Sequence, residues 1–358
     1  MLRQGRPPAL SRHNNDQRTA HVSDKQEMFF ANKLEGAMGT YDASCELLHP
    51  EVARSGSASA VETAYWGICV PEAGIDGTAY IVYRAKLGVL YGGAQVFQGV
   101  KTEMLQSELV DIRQYMSPEA LKDDLWHFKL DSGLEFEILE QCRKFRLSYS
   151  DPFRKNAFDL IVTPASPPVV WPNGRHFEGA IRTVGELTLR GKRYEVNSYH
   201  IRDRSWEGAR LERPEPIPAN HWAVGIKDET LSFNCSGFDH PDLDPDYKGY
   251  FDVAPDKVLM GGWLYMNGEA SFMKSSRNRI TRHPQTLHPV SAVMDMTDHK
   301  GRRLKLKGTV TASAPIYSWL HQRGILALTR WEMDDGTHFW GEIQDGQYTD
   351  YINAMLNR

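Results

Sequence analysis

The stretch GELTLRGKRYEV, residues 185–196, decides the fold. Apolar residues alternate with polar ones on both sides of a short turn at Arg190 and Gly191. A period of two places alternate side chains on opposite faces of a strand, and glycine tolerates the left-handed backbone of tight hairpin turns. The stretch therefore predicts a β-hairpin whose strands are buried on one face only.

The same alternation continues along most of the chain, in short runs separated by Gly, Pro, Asn and Asp. Runs rich in aromatic and β-branched residues are typical of strands inside a barrel or sandwich. We therefore predict an all-β protein built from antiparallel strands. The runs are TAYWGICV (63–70), GTAYIVYR (77–84), LEFEIL (134–139), KFRLSY (144–149), FDLIV (158–162), GGWLYMNGEASFM (261–273) and VMDMTDHKGRRLKLKGTV (293–310).

One segment in the first half has the pattern of a helix: SPEALKDDLWHF, residues 117–128. Ser117 is a favourable N-cap residue, and Pro118 would occupy the first helical position. We predict a short helical insert between strands at this point.

A proline cluster near the middle of the chain, ERPEPIP at 212–218, interrupts strand pairing because proline cannot donate to a ladder. We place the domain boundary close to it. The predicted organisation is a disordered tail over 1–25, an N-terminal barrel over 26–205 and a C-terminal barrel over 206–358. Hairpins in both halves share a Gly and a basic pair at the turn, which favours internal duplication. A closed barrel of about eight strands is large enough to hold one small ligand.

The composition is that of an ordinary globular protein, with 358 residues, 41% hydrophobic and 25% charged side chains. Lys and Arg number 42 against 46 Asp and Glu, which gives a formal net charge of -4 with both signs interspersed. Binding to nucleic acid requires a dense basic stripe that neutralises phosphates, and the chain has none. We predict no nucleic-acid partner.

The four cysteines lie far apart, without a C-x-x-C pair. This spacing argues against a zinc ribbon and against a disulfide framework, and it favours a reducing compartment. No run reaches the roughly 18 apolar residues of a membrane span. The N-terminus lacks the apolar core of a signal peptide. We predict a cytoplasmic protein with no integral membrane segment.

The densest group of unusual residues is SYHIRDRSWEGAR, residues 198–210. As a continuing strand, it directs His200, Arg202 and Arg204 to one face and Asp203 to the other. Neither face is a conventional apolar core face, and unpaired charges are costly to bury. The group therefore needs partners, a ligand or both.

Two interpretations of this group remain open. In the first, Asp203 accepts hydrogen bonds from Arg202 or Arg210, and the salt-bridged strand end pins the two halves together. In the second, Asp203 lines a ligand cavity as a proton donor or acceptor. Trp206 would then supply an aromatic face that stabilises a developing cation.

Glu62 is the best second carboxylate, because it enters a strand that otherwise directs apolar residues inward. The alternative is a solvated strand start. Tyr65 and Trp66 follow it in the same run as candidates for contact with a ligand. In the second half, Trp263 and Tyr265 either line a barrel cavity or merely fill it.

The histidines are spread along the sequence, and none forms the H-x-H or H-E-x-x-H spacing of metal ligands. The acid-rich segment 239–249 lacks the terminal Glu of an EF-hand and is predicted to be a surface loop. No dinucleotide fingerprint and no G-x-S-x-G elbow appear. We predict that the protein needs no metal and no organic cofactor.

The run RDRSW, residues 202–206, resembles the Asp-His-x-Trp-Gly signature of the carotenoid 1,2-hydratase (hydroxyneurosporene synthase) and AttH-like superfamily. Three longer blocks, at 61–84, 176–206 and 339–352, resemble the two-domain members of that group. The resemblance covers the chain from about Tyr41 to the C-terminus.

Two positions depart from the signature: Arg204 stands in place of its His, and Glu207 separates Trp206 from Gly208. The resemblance implies two tandem lipocalin-like (calycin-type) antiparallel β-barrels. It also implies proton transfer to or from an apolar, isoprenoid-like substrate held between them. The implied activity is that of a cofactor-independent lyase or isomerase (hydratase, dehydratase or cyclase) acting on a hydrophobic terpenoid, polyketide or steroid-like molecule.

Two further interpretations stay open: a carrier that binds the same class of ligand unchanged, and a structural protein whose barrels are filled by side chains. Ionisable groups that face the cavity distinguish an enzyme from a carrier. The candidate catalytic residues are Asp203, Trp206, Arg202, Arg204 and Glu62, and the candidate substrate-binding residues are His200, Tyr65, Trp66, Arg210, Trp263 and Tyr265.

Overall fold

Strands dominate the computed structural model, which describes residues 38–207, 216–319 and 322–357 and the isolated strand Ala20–His21. The first strands are β1 (Ala20–His21), β2 (Val61–Val70), β3 (Ile75–Arg84), β4 (Val89–Gln98), β5 (Leu109–Met116), β6 (His127–Lys129), β7 (Glu135–Glu140), β8 (Lys144–Asp151), β9 (Asn156–Pro164), β10 (Val169–Val170), β11 (His176–Leu189) and β12 (Lys192–Glu207). The remaining strands are β13 (Asn220–Asp228), β14 (Leu231–Phe238), β15 (Phe251–Asp252), β16 (Leu259–Met266), β17 (Glu269–Ser276), β18 (Arg279–Arg282), β19 (Pro289–Asp298), β20 (Arg303–Trp319), β21 (Gln322–Met333) and β22 (His338–Tyr348).

Helices are few and short in the described residues. Two α-helices span Pro50–Arg54 and Thr349–Leu356. Neither is long and apolar enough to cross a membrane. Single 3-10 turns lie at Ala43–Glu46, Pro71–Ala73, Ala85–Leu87, Met104–Gln106, Pro118–Leu121, Pro241–Leu243 and Pro255–Lys257.

Two large antiparallel sheets follow one another along the chain. The first has the strand order β5-β4-β3-β2-β12-β11-β9-β8-β7-β6, with β10 paired to β11. The second has the order β17-β16-β14-β13-β22-β21-β20-β19-β18, and an additional pairing of β17 with β19 closes it into a ring. In each sheet the first long strand pairs with the last: β2 with β12, and β13 with β22.

The predicted all-β class with two tandem antiparallel barrels is confirmed. The second sheet closes on itself, whereas the described strands of the first leave β5 and β6 as open ends, so that sheet is a half-barrel. The first sheet ends at Glu207 and the second begins at Asn220. The predicted tail over 1–25 lies outside the described residues except for Ala20–His21, which pairs in parallel with β15.

The hairpin predicted at residues 185–196 is confirmed by the pairing of Leu189 with Lys192. Arg190 and Gly191 both have positive φ, 48° and 85°, as a two-residue turn of the mirror-image type requires. The side chain of Asn156 accepts a hydrogen bond from the Arg190 amide at 2.7 Å, which holds the arginine in this unfavourable conformation.

The helix predicted over residues 117–128 is wrong in extent. Ser117 does cap it, accepting a hydrogen bond from the Glu119 amide at 3.2 Å, but the helix is a single 3-10 turn, Pro118–Leu121. Asp124 has a φ of 60°, which ends any helix, and β6 follows. Leu121, Leu125 and neighbouring apolar residues are buried in the first core, so packing of the sheet overrides the helical spacing.

Three of the apolar clusters in the described residues position the two sheets. One core fills the first sheet and a second fills the ring of the second sheet. A third layer lies between the two units and includes Tyr65 and Ile201 from the first, with Val224, Trp263 and Tyr265 from the second. The two outer sheet faces therefore bury each other, and polar groups in this layer must find partners across it.

Candidate active site

A crevice with a volume of about 220 Å³ lies where the two sheets meet. Asp203, Ser205 and Glu207 line it from β12, because alternate residues of a strand share one face. Tyr65 lines it from β2, directly opposite Asp203 in the β2–β12 register. The second sheet contributes residues of β22, including Gln344. The crevice therefore has walls from both units.

Aromatic rings form one wall of the crevice. The indoles of Trp171 and Trp222 are parallel within 6°, with ring centroids 5.7 Å apart. The imidazole of His176 stands edge-on to both, at 5.0 Å from Trp171 and 5.7 Å from Trp222. Indole faces attract cations and apolar groups alike, so this wall suits a hydrophobic ligand on which positive charge develops.

Two hydrogen bonds fix the imidazole of His176. Its Nε2 atom lies 2.8 Å from Oε1 of Glu178, and its Nδ1 atom lies 2.7 Å from the Ser205 hydroxyl. The buried Glu178 carboxylate also accepts a hydrogen bond from the Trp263 indole at 2.7 Å. This network holds the ring in one orientation at the edge of the crevice, as a proton-transferring histidine requires.

Burial opposes the charged form of His176, but the hydrogen bond and the negative charge of Glu178 outweigh it and raise the pKa of the imidazole. Asp203 and Glu207 add smaller contributions in the same direction. A histidine whose pKa is raised by a neighbouring carboxylate can exchange a proton near neutral pH.

The opposite face of β12 carries a separate set of buried ion pairs. Arg202 pairs with Glu46, and Arg204 pairs with Glu62 at 3.0 Å. Arg204 also donates to the carbonyl oxygens of Cys45 and Leu47, at 3.0 and 2.8 Å. These contacts bind the segment before β2 to β12.

Trp206 belongs to the same face, where its ring stacks on His49 at a centroid distance of 4.1 Å. The Glu62 carboxylate in turn contacts the His49 amide and imidazole, at 2.9 and 3.2 Å. Neither Trp206 nor Glu62 lies among the side chains that line the crevice.

A second group of ionisable side chains lies between the sheets, behind Tyr65. The Tyr65 hydroxyl lies 2.8 and 3.0 Å from the two carboxylate oxygens of Glu342. Nε2 of His200 lies 3.2 Å from Asp76 and 3.8 Å from Glu342. The side chain of Gln344 donates to Glu342 at 2.7 Å. Asp76 and Glu342 are both fully buried.

Burial makes both carboxyl groups hard to ionise. It raises the pKa of Asp76 to about 7. Burial and the charge of Asp76 raise the pKa of Glu342 to about 8. Burial lowers the pKa of His200, so the imidazole is neutral near pH 7 and leaves the two acids without a permanent counter-charge. The pair therefore shares protons at neutral pH, and its two titrations belong to both groups jointly.

Asp76, His200 and Glu342 also have the residue types of a metal site, with ligand atoms within 4.8 Å of one another, and no other such cluster occurs in the described part of the chain. However, Nδ1 of His200 accepts a hydrogen bond from the Ile201 amide at 2.8 Å. The proton of the neutral ring therefore sits on Nε2, the atom that faces the carboxylates. Because a metal needs the lone pair of that nitrogen, this arrangement suits protons better than a metal ion.

Gly67 allows His200 to reach this position. A Cβ atom added at Gly67 would lie 1.8 Å from Nδ1 of His200, so any larger residue displaces the imidazole. The glycine in the run TAYWGICV is thus explained by close approach of a side chain.

The sequence-predicted site residues fall into several places. Asp203 and Tyr65 line the crevice, His200 lies behind it, and Trp263 holds Glu178. Tyr265 belongs to the layer between the units, whereas Trp66 belongs to the first core. Arg210 lies outside the described residues.

Sequence reasoning missed Asp76, Glu178 and Glu342 as functional candidates, and it weighed His176 only as a metal ligand. One local signal was available: His176 and Glu178 are two residues apart on a strand and so share a face. Single carboxylates within apolar runs were a second signal, because an isolated buried charge needs a partner.

Comparison with curated proteins gives no match to this sequence. Solved structures of similar fold include CghA, at 8% identity over 82% of this chain and 90% of that chain, with a TM-score of 0.47. A putative AttH of Nitrosomonas europaea is 11% identical over 89% of this chain and 98% of its own, with a TM-score of 0.49. Kievitone hydratase of Nectria haematococca is 8% identical over 90% of this chain and 98% of its own, with a TM-score of 0.47.

Residues 43–345 match a protein family over most of the chain, and that family is described as a domain of unknown function, DUF7064. The chain belongs to the DUF7064 family.

Proposed function

We propose that the protein is a cofactor-independent lyase or isomerase, of hydratase, dehydratase or cyclase type, that transfers a proton to or from a hydrophobic small molecule. The observation that carries this proposal is the placement of Asp203 and His176 on the wall of one crevice, beside the paired indoles of Trp171 and Trp222. An acid or base next to an apolar surface is what proton transfer to a poorly soluble substrate requires.

The size of the crevice favours contact with only part of the substrate. Its volume of about 220 Å³ is below the roughly 300–1,000 Å³ that is common for ligand pockets. We propose that it receives the reacting end of a terpenoid, polyketide or steroid-like molecule.

In the proposed reaction, Asp203 exchanges a proton with a carbon of the substrate. His176 takes part through the hydroxyl of Ser205, which lines the crevice, because both ring nitrogens of His176 are hydrogen-bonded, one to Ser205 and one to Glu178. Glu178 orients His176 through the 2.8 Å hydrogen bond and stabilises the imidazolium that forms. The indole faces of Trp171 and Trp222 stabilise positive charge on the substrate by about 1–2 kcal/mol in a desolvated site.

The experiment is solvent exchange in deuterium oxide. 1-Tetralone has two fused rings and acidic hydrogens beside a carbonyl group, so a positioned base replaces those hydrogens with deuterium, which mass spectrometry detects. We expect exchange by the protein well above the rate in buffer, while boiled protein leaves only the buffer rate. Quenching of tryptophan fluorescence measures binding of the same probe independently.

A carrier is the second candidate, and the aromatic wall alone is compatible with it. A carrier binds 1-tetralone without exchange, so binding at the buffer exchange rate would contradict the proposed catalysis and favour transport.

A further inference from the structure

We infer that Tyr65 binds an oxygen atom of the substrate and that the buried pair of Asp76 and Glu342 holds the proton that this phenol passes on. The substrate is then an oxygenated hydrophobic molecule, with a hydroxyl or carbonyl group at its reacting end. This inference rests on the proposed function, since it adds an acid that acts opposite Asp203 and His176.

The geometry forms a continuous chain from the crevice into the interior. Tyr65 lines the crevice, and its hydroxyl contacts Glu342 at 2.8 Å. His200 and Asp76 lie behind Glu342. The carboxyl oxygens of Asp76 and Glu342 and the ring nitrogen of His200 lie within 4.8 Å of one another. One oxygen of the Asp76 carboxyl has no hydrogen-bond partner although it is fully buried. A buried carboxylate oxygen without a hydrogen-bond partner would be strongly destabilised. This favours a state in which Asp76 or Glu342 carries a proton.

The state of Glu342 decides what Tyr65 can do. While Glu342 is a carboxylate, it accepts the phenolic hydrogen and Tyr65 has none to offer to a ligand. When Glu342 carries a proton, its hydroxyl donates to the Tyr65 oxygen and leaves the phenolic hydrogen free for the crevice. Burial raises the pKa of Tyr65 well above its usual range, so the phenol itself stays neutral and acts as a donor.

The step balances as a proton relay. For a ketone, the base removes a hydrogen from the neighbouring carbon, and the electrons of that C–H bond form the new C=C bond. The C=O π electrons move to the oxygen, which takes the proton of Tyr65. Tyr65 takes a proton from Glu342 and leaves it as a carboxylate. For an alcohol that loses water, the base likewise removes a hydrogen from the neighbouring carbon, and the electrons of that C–H bond form the C=C bond. The C–O bond breaks, and its oxygen takes the proton of Tyr65 and leaves as water.

The first test compares two probes that differ by one oxygen: 1-tetralone and tetralin, which has the same fused rings without the carbonyl group. One added hydrogen bond corresponds to about 5- to 10-fold in affinity. We expect the protein to bind 1-tetralone tighter than tetralin by that factor, and Tyr65→Phe to remove the preference. Tyr149→Phe is the matched control, because Tyr149 is a buried tyrosine that donates to Asp111 at 3.1 Å inside the first unit.

A preference for 1-tetralone that survives in Tyr65→Phe, or that is absent from the parent protein, overturns the inference. Deuterium exchange that stays at the parental rate in Tyr65→Phe also overturns it, and leaves the proposed proton-transfer function standing. The reverse result, a Tyr65-dependent preference without exchange, contradicts the catalysis and leaves the oxygen-binding role of Tyr65 supported.

A second measurement tests the proton store without any ligand. A protonated carboxylic acid has a carbonyl stretching band in the infrared that a carboxylate lacks. We expect the parent protein to lose such a band as the pH rises from about 6 to 9, and Glu342→Gln to reduce that loss. Asp76→Asn serves as the second variant if Glu342→Gln does not fold. A parent protein without a titrating band in this range overturns the inference.

Discussion

The phenol of Tyr65 on β2 contacts the carboxyl group of Glu342 on β22, 277 residues further along the chain. Tyr65 belongs to the first sheet and Glu342 to the second. The crevice and the buried acids behind it are therefore products of the docking of two units. Neither sheet alone holds the complete set of groups, so the site requires both units.

Asp203→Asn is expected to lower the rate of deuterium exchange by about 10²- to 10⁴-fold, the usual contribution of a general acid or base. The amide is nearly isosteric, so the melting temperature should change little. Asp159→Asn is the control, since Asp159 pairs with Arg146 on the exposed face of the first sheet. If Asp203→Asn melts much earlier yet exchanges at the parental rate per folded molecule, the aspartate has a structural role instead.

Glu178→Gln is expected to lower the pKa of His176, because burial then acts without its opposing charge. Proton NMR titration of the imidazole, assigned with His176→Gln, measures this directly, and the pH profile of deuterium exchange should move with it. Glu207→Gln, which removes a weaker contribution, should produce a smaller shift. Equal shifts in both variants would contradict the role assigned to Glu178 as the residue that positions and charges the histidine.

Arg204→Met is expected to destabilise the fold by about 3–5 kcal/mol, because it removes the guanidinium that pairs with the buried Glu62 carboxylate. Urea denaturation measures this loss. The control is Arg193→Met in the exposed pair with Glu186, where the change should be at most about 1 kcal/mol. A loss as small as that of the control would show that the ion pair on this face of β12 is dispensable.

The stability of the protein should fall as the pH rises between about 6.5 and 8. Asp76 and Glu342 have raised pKa values in the folded state, about 7 and 8, so the folded protein binds more protons than the unfolded chain across this range. Their contribution is complete below the unfolded pKa values and is lost as the pH rises through the folded ones. His200, whose pKa burial lowers, acts in the opposite direction, but below about pH 6.5.

Glu342→Gln should flatten this slope by up to about 1.4 kcal/mol per pH unit, measured as the unfolding free energy in urea. The other titratable groups that face the pair are Tyr65, Cys69 and His200. Burial raises the pKa values of the phenol and the thiol, so both stay neutral across this range. A parental slope in the variant would contradict the shared-proton state of the acids.

Local patterns were sufficient to predict the strands. The hairpin at 185–196 follows from alternation and from the glycine at its turn, and both signals act within a dozen residues. The helix predicted at 117–128 is wrong in extent because its apolar residues pack into the first core from a 3-10 turn and the turn that follows it, and local propensity does not reveal that packing.

The candidate site could be predicted only in part. Asp203 stood out because it lies between two arginines in a strand, and Tyr65 because it lies in an aromatic run. The partners of Tyr65 and Trp263 could not be assigned, since Glu342 and Glu178 meet them only after two sheets pack face to face. Contacts that form only when the two sheets dock do not change the pattern of apolar and polar residues along either strand.

Pairing of the first long strand with the last in each sheet has a consequence for synthesis on the ribosome. β2 cannot pair with β12 until β12 has been synthesised, and the same holds for β13 and β22. At about 5–20 residues per second, the chain between β2 and β12 takes about 6–24 s to emerge. During that interval one edge of the aromatic strand β2 is open to pairing with other chains. Such non-local closure is slow, so each unit is exposed to aggregation until its last long strand has been synthesised.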